Sequence, residues 1–419
     1  MKRIISFLTI VVILTISPSC ENDIEIIRTK TVYNKEYKGI DLTRGERMLA
    51  SKDLDFGLSI FKGIVNRNNL DEDVLISPLS SSMAFAMLSA GAKGQTRKEI
   101  VKGLGFNDFD YSQVAAYYKK VSDQILSASK DNKVAIANAI WCAGNVKQNY
   151  ADEVRSTFNS EIKKIDISQP KATADMINSW TSDKTNGMIP SILPESIAAS
   201  ASIVLENVLY FNSSWQFDSH QRVLREFTDS DNTTVNKDFF TSMSPRLLLS
   251  FFNDEVSVIK IPYKGGAFNM MVVLPKTERS FTDFIHSLSS QKWDYWSSSC
   301  DYNKVLYSVP CFESRSEMSG SFKAEIENRG IRIPFTPSAD FSNMVDMQVF
   351  VTYLAHNTSI AVSEKGTEAT AATAIVMSLT APSPDLGNDY YVFNADRPFV
   401  YAIEEASTGI LLFIGTHVK

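Results

Sequence analysis

Hydrophobic positions change their period along the chain, and each change marks an element. From Arg47 the apolar residues Met48, Leu49, Leu54, Phe56, Ile60, Phe61 and Ile64 recur at helical spacing, which predicts an amphipathic helix. Ser77-Pro78 opens a second helix, rich in Ala, Met and Ser from Leu79 to Ala90 and ended by Gly91 and Gly94. A further amphipathic pattern covers Tyr111 to Ala128. Short apolar runs then predict strands at Val134 to Ile140 and Ile203 to Phe211. Val256 to Ile261 and Phe268 to Leu274 are joined through Tyr263-Lys264-Gly265-Gly266, a hairpin signal. Phe399 to Ile403 and Gly409 to Gly415 are two more apolar runs. Helices dominate early and strands late without strict alternation, so the predicted class is α+β rather than a doubly wound sheet.

The first residues follow a different logic. Lys2 and Arg3 precede an unbroken apolar run from Ile4 to Ile16, then Ser17, Pro18, Ser19 and Cys20. A basic start, an apolar core and small residues describe an export signal, and the run is short of the roughly 20 residues a spanning helix needs. The approach to Cys20 resembles the lipobox of bacterial lipoproteins, with Ser17 where Leu is usual. That resemblance implies lipidation of Cys20 and a lipoprotein held at the cell envelope, periplasmic or on the cell surface; the alternative is plain secretion. Residues 21 to about 45 are polar and unperiodic and read as a tether. One domain over 46–419 is expected, since no internal repeat or linker interrupts it.

Composition narrows the function classes. With 44% hydrophobic and 21% charged residues the chain is ordinary globular protein, not a disordered one. Lys plus Arg number 42 against 48 Asp plus Glu, so no basic excess exists to neutralise a phosphate backbone, and nucleic acid is not an expected partner. Beyond Cys20 only Cys142, Cys300 and Cys311 remain, without C-x-x-C spacing, which argues against a disulfide framework and a zinc site. Nucleophile-elbow, H-E-x-x-H, G-x-G-x-x-G and P-loop motifs are missing, and His220, His286, His356 and His417 are scattered. No catalytic residue, metal or cofactor is expected, and the chain does not read as an enzyme.

One stretch is unusual: Gly366 to Asn388 begins as Thr/Ala alternation and ends in Pro, Ser and Gly. Loops this long inside a compact domain are uncommon and usually functional or disordered. Glu364-Lys365-Gly366-Thr367-Glu368-Ala369-Thr370-Ala371-Ala372-Thr373-Ala374 resembles the hinge of the reactive-centre loop of serpins, and Phe393-Asn394-Ala395-Asp396-Arg397-Pro398-Phe399 resembles the signature beyond it. Ile76-Ser77-Pro78-Leu79-Ser80, Gly91 to Thr96, Ile177 to Trp180, Thr185 to Ile189, Asn207 to Phe211 with Trp215, Ile261 to Gly265 and Ala339 to Ser342 also resemble serpin blocks and fall in family order. Departures are Arg397 where His is commoner, Asn357 where Lys is usual, and Cys311 where a basic residue often follows the Pro.

The resemblance implies helices packed around three mainly antiparallel β-sheets, with an exposed reactive-centre loop at about 364–392. It implies a monomeric suicide inhibitor of serine endopeptidases, and of papain-like cysteine proteases as well. A target protease cuts the loop, stays acyl-linked, and is dragged along as the freed arm inserts into a sheet. By the family's count the bond is Thr380-Ala381, which suits elastase- or subtilisin-type pockets; Leu379 or Met377 would suit chymotrypsin- or papain-like proteases. Ser77, Pro78, Ser80, Asn207 and His356 match the family's shutter, with His356 hydrogen-bonding rather than catalysing, and Trp215 matches the Trp at the mouth of the loop. The arm's own residues fit insertion: Thr367, Ala369, Ala371 and Thr373 form one small-residue set, Glu368, Thr370, Ala372 and Ala374 a second set expected to face solvent, and no Pro interrupts Thr367 to Ala381. The alternative is a non-inhibitory serpin-fold binding or chaperone protein.

Overall fold

The computed structural model describes residues 37–128, 132–277, 280–367 and 389–419. In chain order it begins with α1 (Arg44–Arg67), β1 (Leu75–Ile76), α2 (Pro78–Gly91), α3 (Gly94–Leu104), α4 (Tyr111–Ser127), β2 (Lys133–Cys142), α5 (Gln148–Phe158) and β3 (Glu161–Lys164). There follow α6 (Pro170–Lys184), α7 (Glu195–Ala198), β4 (Ile203–Ser214), β5 (His220–Thr228), β6 (Thr234–Ser242), β7 (Arg246–Phe252), β8 (Val256–Pro262) and β9 (Phe268–Pro275). Next come α8 (Phe281–Ser287), α9 (Ser290–Ser298), β10 (Asp301–Pro310), β11 (Phe312–Met318), α10 (Gly320–Asn328) and β12 (Val351–Ser363). The last elements are β13 (Gly366–Thr367), β14 (Tyr391–Asn394), β15 (Phe399–Glu405) and β16 (Leu411–His417).

The α+β class is the one expected. Hydrogen bonding among the described residues links the strands into two networks rather than three sheets. A six-stranded sheet runs β11-β12-β13-β4-β2-β3, and a ten-stranded one runs β1-β16-β15-β9-β8-β7-β10-β6-β5 with β14 alongside β10. The larger network is continuous because β10 pairs with β7 over Asp301–Val305 and with β6 over Ser308–Pro310, joining surfaces that would otherwise count separately. Most pairs are antiparallel; β12–β4, β2–β3 and β10–β14 are parallel. The predicted hairpin is β8–β9, closed by Gly265 and Gly266, both with positive φ.

Side-chain alternation along β4 divides the core. Leu205 and Leu209 face the main core, while Val204 and Val208 face a smaller cluster beneath α6 with Trp141, Ile177 and Trp180. α2 is buried at every position, and its Ala and Ser residues let it lie close against its neighbours. Two boundaries differ from expectation. The Gly91–Gly94 break does stop α2, but Gly94 itself begins α3, whose polar sequence anchors only through a few side chains such as Ile100 and Leu104. The last part of the expected tether is packed: Ile40 and Leu42 are buried, the Ile40 amide donates to Ser407 Oγ at 2.8 Å, and the Tyr37 hydroxyl donates to Glu405 at 2.6 Å. Thr43 and Glu46 then form a capping box that starts α1.

Candidate functional site

β12 ends at Ser363, and the chain reverses through Glu364 and Lys365. Gly366 and Thr367 then run back as a two-residue strand between β12 and β4. It is antiparallel to both, with Thr367 opposite Val362 and Ser213, and Gly366 opposite Ser363 and Ser214. Below this point β12 and β4 pair directly with each other in parallel, from Val351–Ile203 to Asn357–Val208. Close packing requires glycine at position 366. Its φ is +147°, and a Cβ there would stand 2.1 Å from the Ser213 carbonyl oxygen, so only glycine lets the chain pass this close to β4. Thr367 is wholly buried, and its hydroxyl lies 2.5 Å from that of Tyr263.

The turn is clamped from two sides. Trp215, immediately after β4, stacks between Tyr263 and Phe240 at centroid distances of 4.6 and 5.2 Å. Its indole N–H donates to the Ser363 carbonyl at 2.8 Å, and its backbone amide donates to Lys365 at 3.2 Å. On the other side Arg222 of β5 meets Glu364 and also Asp238. Partial burial favours the protonated form of Glu364, but the hydrogen bonds from Arg222 outweigh it and hold the carboxyl below its usual range. Cys311 lies beside this pair, and burial pushes its thiol up to about 12.

Lower in the sheet, beneath the parallel β12–β4 seam, a buried polar cluster joins α2 to three strands. Pro at the first helical position and the Ser77 N-cap, accepting from the Ser80 amide, fix the start of α2 there. The Ser77 amide donates to His356 Nε2 at 3.2 Å. Nε2 therefore accepts, the ring proton sits on Nδ1, and Nδ1 donates to Asn207 Oδ1 at 3.0 Å. Asn207 Nδ2 donates in turn to Ser80 Oγ and to Asn138 Oδ1, each at 2.5 Å. Phe322 stacks on the imidazole at 4.3 Å. Burial pushes the His356 ring down to about 3, so at ordinary pH it is a neutral ring that accepts at one nitrogen and donates at the other.

The structure thus brings Ser77, Pro78, Ser80, Asn207 and His356 into one cluster, and Glu364, Gly366, Thr367 and Trp215 into another at the mouth of the seam. Cys20, the hinge positions Glu368, Ala369, Thr370, Ala371, Ala372, Thr373 and Ala374, and the candidate cut positions Met377, Leu379, Thr380 and Ala381 lie outside the described residues. Sequence reasoning missed Asn138, Arg222 and Tyr263. Tyr263 was in view within the hairpin block, but nothing local tied any of the three to the site. Among the described residues no group of three or more His, Cys, Asp or Glu side chains has the geometry to hold a metal ion, and no helix is long and apolar enough to cross a membrane.

Residues 51–419 match the family model described as serpin (serine protease inhibitor). Iripin-2 of Ixodes ricinus is 28% identical over 378 residues, covering 88% of this chain and 93% of its own length. Serpin-ZXA of Oryza sativa subsp. japonica is 30% identical over 366 residues, covering 82% of this chain and 89% of its own. The native-state crystal structure of the thermophilic serpin tengpin superposes with a TM-score of 0.79 at 26% identity, covering 90% of this chain and 95% of that one. The chain belongs to the serpin family. Protease inhibition is the general activity that membership carries, and proteases are the family's general partners.

Proposed function

We propose that this serpin is inhibitory: a suicide substrate that traps serine endopeptidases by inserting its cleaved loop between β12 and β4. The observation that carries this reading is the register around β13. Each residue forward from Thr367 steps one residue back along both β12 and β4, from Val362 and Ser213. That count brings Ala372 opposite Asn357 and Val208, which are themselves paired in the seam, and Thr373 opposite His356 and Asn207, which are also paired. The two banks are therefore already in step to accept one strand. Insertion would replace one parallel pairing by two antiparallel ones, the more stable kind per residue. The register reaches Val376 opposite Tyr353 and Val204 before the irregularity at Val351.

The same register refines which way the arm's residues face. Opposed residues in an antiparallel pair share a face, so Thr373 joins Thr367 on the main-core side. On insertion Ala372 and Ala374 would come opposite Val208 and Glu206, on the side of the sheet that α6 covers. Both are small enough to pass beneath a helix already packed on the sheet.

A cut at Thr380-Ala381 leaves the whole span from Thr367 to Val376 free to enter, whereas a cut within that span would leave the seam partly filled. Thr before the bond favours elastase- and subtilisin-type proteases; Leu379 or Met377 would direct the loop to chymotrypsin-like or papain-like ones. The test is to mix the protein with proteases of each type. A denaturant-resistant covalent complex, with the new terminus at Ala381 by mass spectrometry, is expected. Cleavage without a complex under every condition would return the chain to the non-inhibitory alternative. Export as a Cys20-lipidated envelope protein is part of the proposal, and labelled palmitate should enter the native chain but not Cys20→Ala.

A further inference from the structure

The row of side chains that β4 presents to α6 contains one carboxylic acid. Glu206 stands between Val204 and Val208, wholly buried, with Ala139 of β2 and Ala355 of β12 as its strand neighbours. Trp141 Nε1 donates to its Oε2 at 2.8 Å, and Thr181 of α6 meets its Oε1. Thr181 has one hydroxyl proton, and the same oxygen lies 3.0 Å from the Ile177 carbonyl, the usual back-bond of a helical threonine. Every contact carries a proton only when Glu206 is the neutral acid: its own O–H donates to Thr181 Oγ1, Thr181 donates to Ile177, and Trp141 donates to the other oxygen.

The surroundings supply no compensating cation. From β3 comes the anion Glu161, which is held by Lys163 at 2.7 Å, Lys184 of α6 at 3.1 Å and Trp180 Nε1 at 2.8 Å. Those lysines also lie over the rings of Trp141 and Trp180, so their charge is already engaged. From β12, Tyr353 donates to the Ile192 carbonyl at 3.0 Å, and His356 belongs to the opposite face as a neutral ring. Burial, joined by the field of Glu161, lifts the Glu206 carboxyl to about 8 against the hydrogen bonds that would lower it.

Position gives this carboxyl leverage. Asn178 of α6 grips the following segment by accepting from the Ile192 and Leu193 amides at 2.8 and 2.9 Å and donating to the Leu193 carbonyl at 3.0 Å. Helix and segment form one strap across the seam, fixed to β2 and β4 through Glu206, to β12 through Tyr353, and to β3 through Trp180 and Lys184 on Glu161. We infer that Glu206 is a proton-operated latch: as the neutral acid it ties α6 to β2 and β4 with every contact satisfied, and loss of its proton leaves a buried anion, draws the Thr181 proton from its bond to Ile177, and so loosens the strap and eases opening of the seam. The part played by seam opening rests on the inhibitory reading; the latch itself does not.

The test compares the full native chain with Glu206→Gln, whose amide reproduces the donor and acceptor of the neutral acid. The folded-state affinity for the proton is raised, so stability is complete below the unfolded carboxyl range and is lost as pH rises through the folded value. Thermal midpoints measured from about pH 5 to about pH 9 should therefore fall in the native chain relative to the variant, with the slope of one proton. Parallel profiles overturn the latch. Asp53, the other buried carboxyl with a raised affinity, is common to both chains and cancels. Carbon-13 NMR of glutamate-labelled native protein, independent of how well the variant folds, should show one carboxyl titrating above neutrality; its absence also overturns the inference. Amide exchange in α6, corrected for intrinsic rates, should accelerate about tenfold over that pH range in the native chain alone; equal behaviour in both refutes the release of the strap. None of these readouts needs a protease. A chain that passes them yet traps no protease keeps the latch and loses the inhibitory reading, and a trapping chain that fails them does the reverse.

Discussion

Arg222 Nε and Nη2 both donate to one carboxylate oxygen of Glu364, at 3.0 and 2.6 Å, and so tie the ten-stranded sheet to the base of the reactive loop. The position after Pro310, where the family often has a base, is Cys311 here. The cation that meets Glu364 comes from β5. Charge-assisted hydrogen bonds of this kind contribute about 1.5–3 kcal/mol. Arg222→Gln should lower stability by about that much in denaturant titrations, and an Arg222/Glu364 double-mutant cycle should show coupling of the same order. Because the folded carboxyl is held low, its contribution is present above the unfolded carboxyl range and is lost as pH falls through the folded value.

Gly366→Ala should expel β13 from between its neighbours, since the added carbon meets β4 backbone and not a side chain that can swing away. Trp215 reports this directly: its indole N–H bond to Ser363 and its stacking on Tyr263 should loosen, shifting its fluorescence. A Trp215 signal like that of the native chain would contradict the steric account.

Thr367→Arg tests the step after cleavage. The native side chain is wholly buried against Tyr263, and an unpaired guanidinium there carries a desolvation cost of several kcal/mol. The variant should still be cut, but the ratio of covalent complex to released cleaved protein should drop by about tenfold or more, and cleavage should no longer raise the melting temperature. Undiminished complex formation would mean that the arm enters the seam without residue 367 seated between β12 and β4.

Acid sensitivity should trace to buried histidines. His356 and His220 are pushed by burial to about 3 and about 4. For such groups the unfolded chain binds the proton first, so stability is complete above the unfolded value of about 6.5 and falls as pH drops below it. His356→Gln should flatten this limb by one proton in midpoint-against-pH curves, even though loss of the ring lowers stability at neutral pH.

Lys260 and Glu404 form a buried ion pair at 2.7 Å, with Lys260 also donating to Ser297 at 2.7 Å. Glu404→Ala removes one partner and strands the other charge, which should cost about 3–5 kcal/mol in unfolding experiments. A loss below about 1 kcal/mol would mean that water reaches Lys260 in solution.

The period of the apolar residues located α1, α2, α4 and the strands β2, β4, β8, β9, β15 and β16 to within a few residues, because each buries a continuous stripe or face, but it did not mark β5, β6, β7, β10, β11 or β12. It could not separate α3 from the glycines before it, since that helix has few buried anchors. Nor could it show that Ile40 and Leu42 are packed: their partner, the turn at Ser407, lies at the far end of the chain. Resemblance to known blocks singled out the residues that cluster around His356 and those of the turn from Glu364 to Thr367. Arg222 was not, because an ion pair between β5 and the end of β12 leaves no mark in either local sequence. Glu206 was equally hidden, one letter in a run that otherwise reads as a buried strand.

The two-residue strand β13 has a neighbour on each side at the head of a seam whose banks already share its register. On the inhibitory reading, the uncut protein is separated from a lower-energy form by a barrier and not by an uphill difference in free energy. Its working life is then a clock. Two preparations with the same melting temperature can differ in age, and hours of storage, or the rate at which the uncleaved loop slips inward unaided, describe the molecule better than any equilibrium stability does.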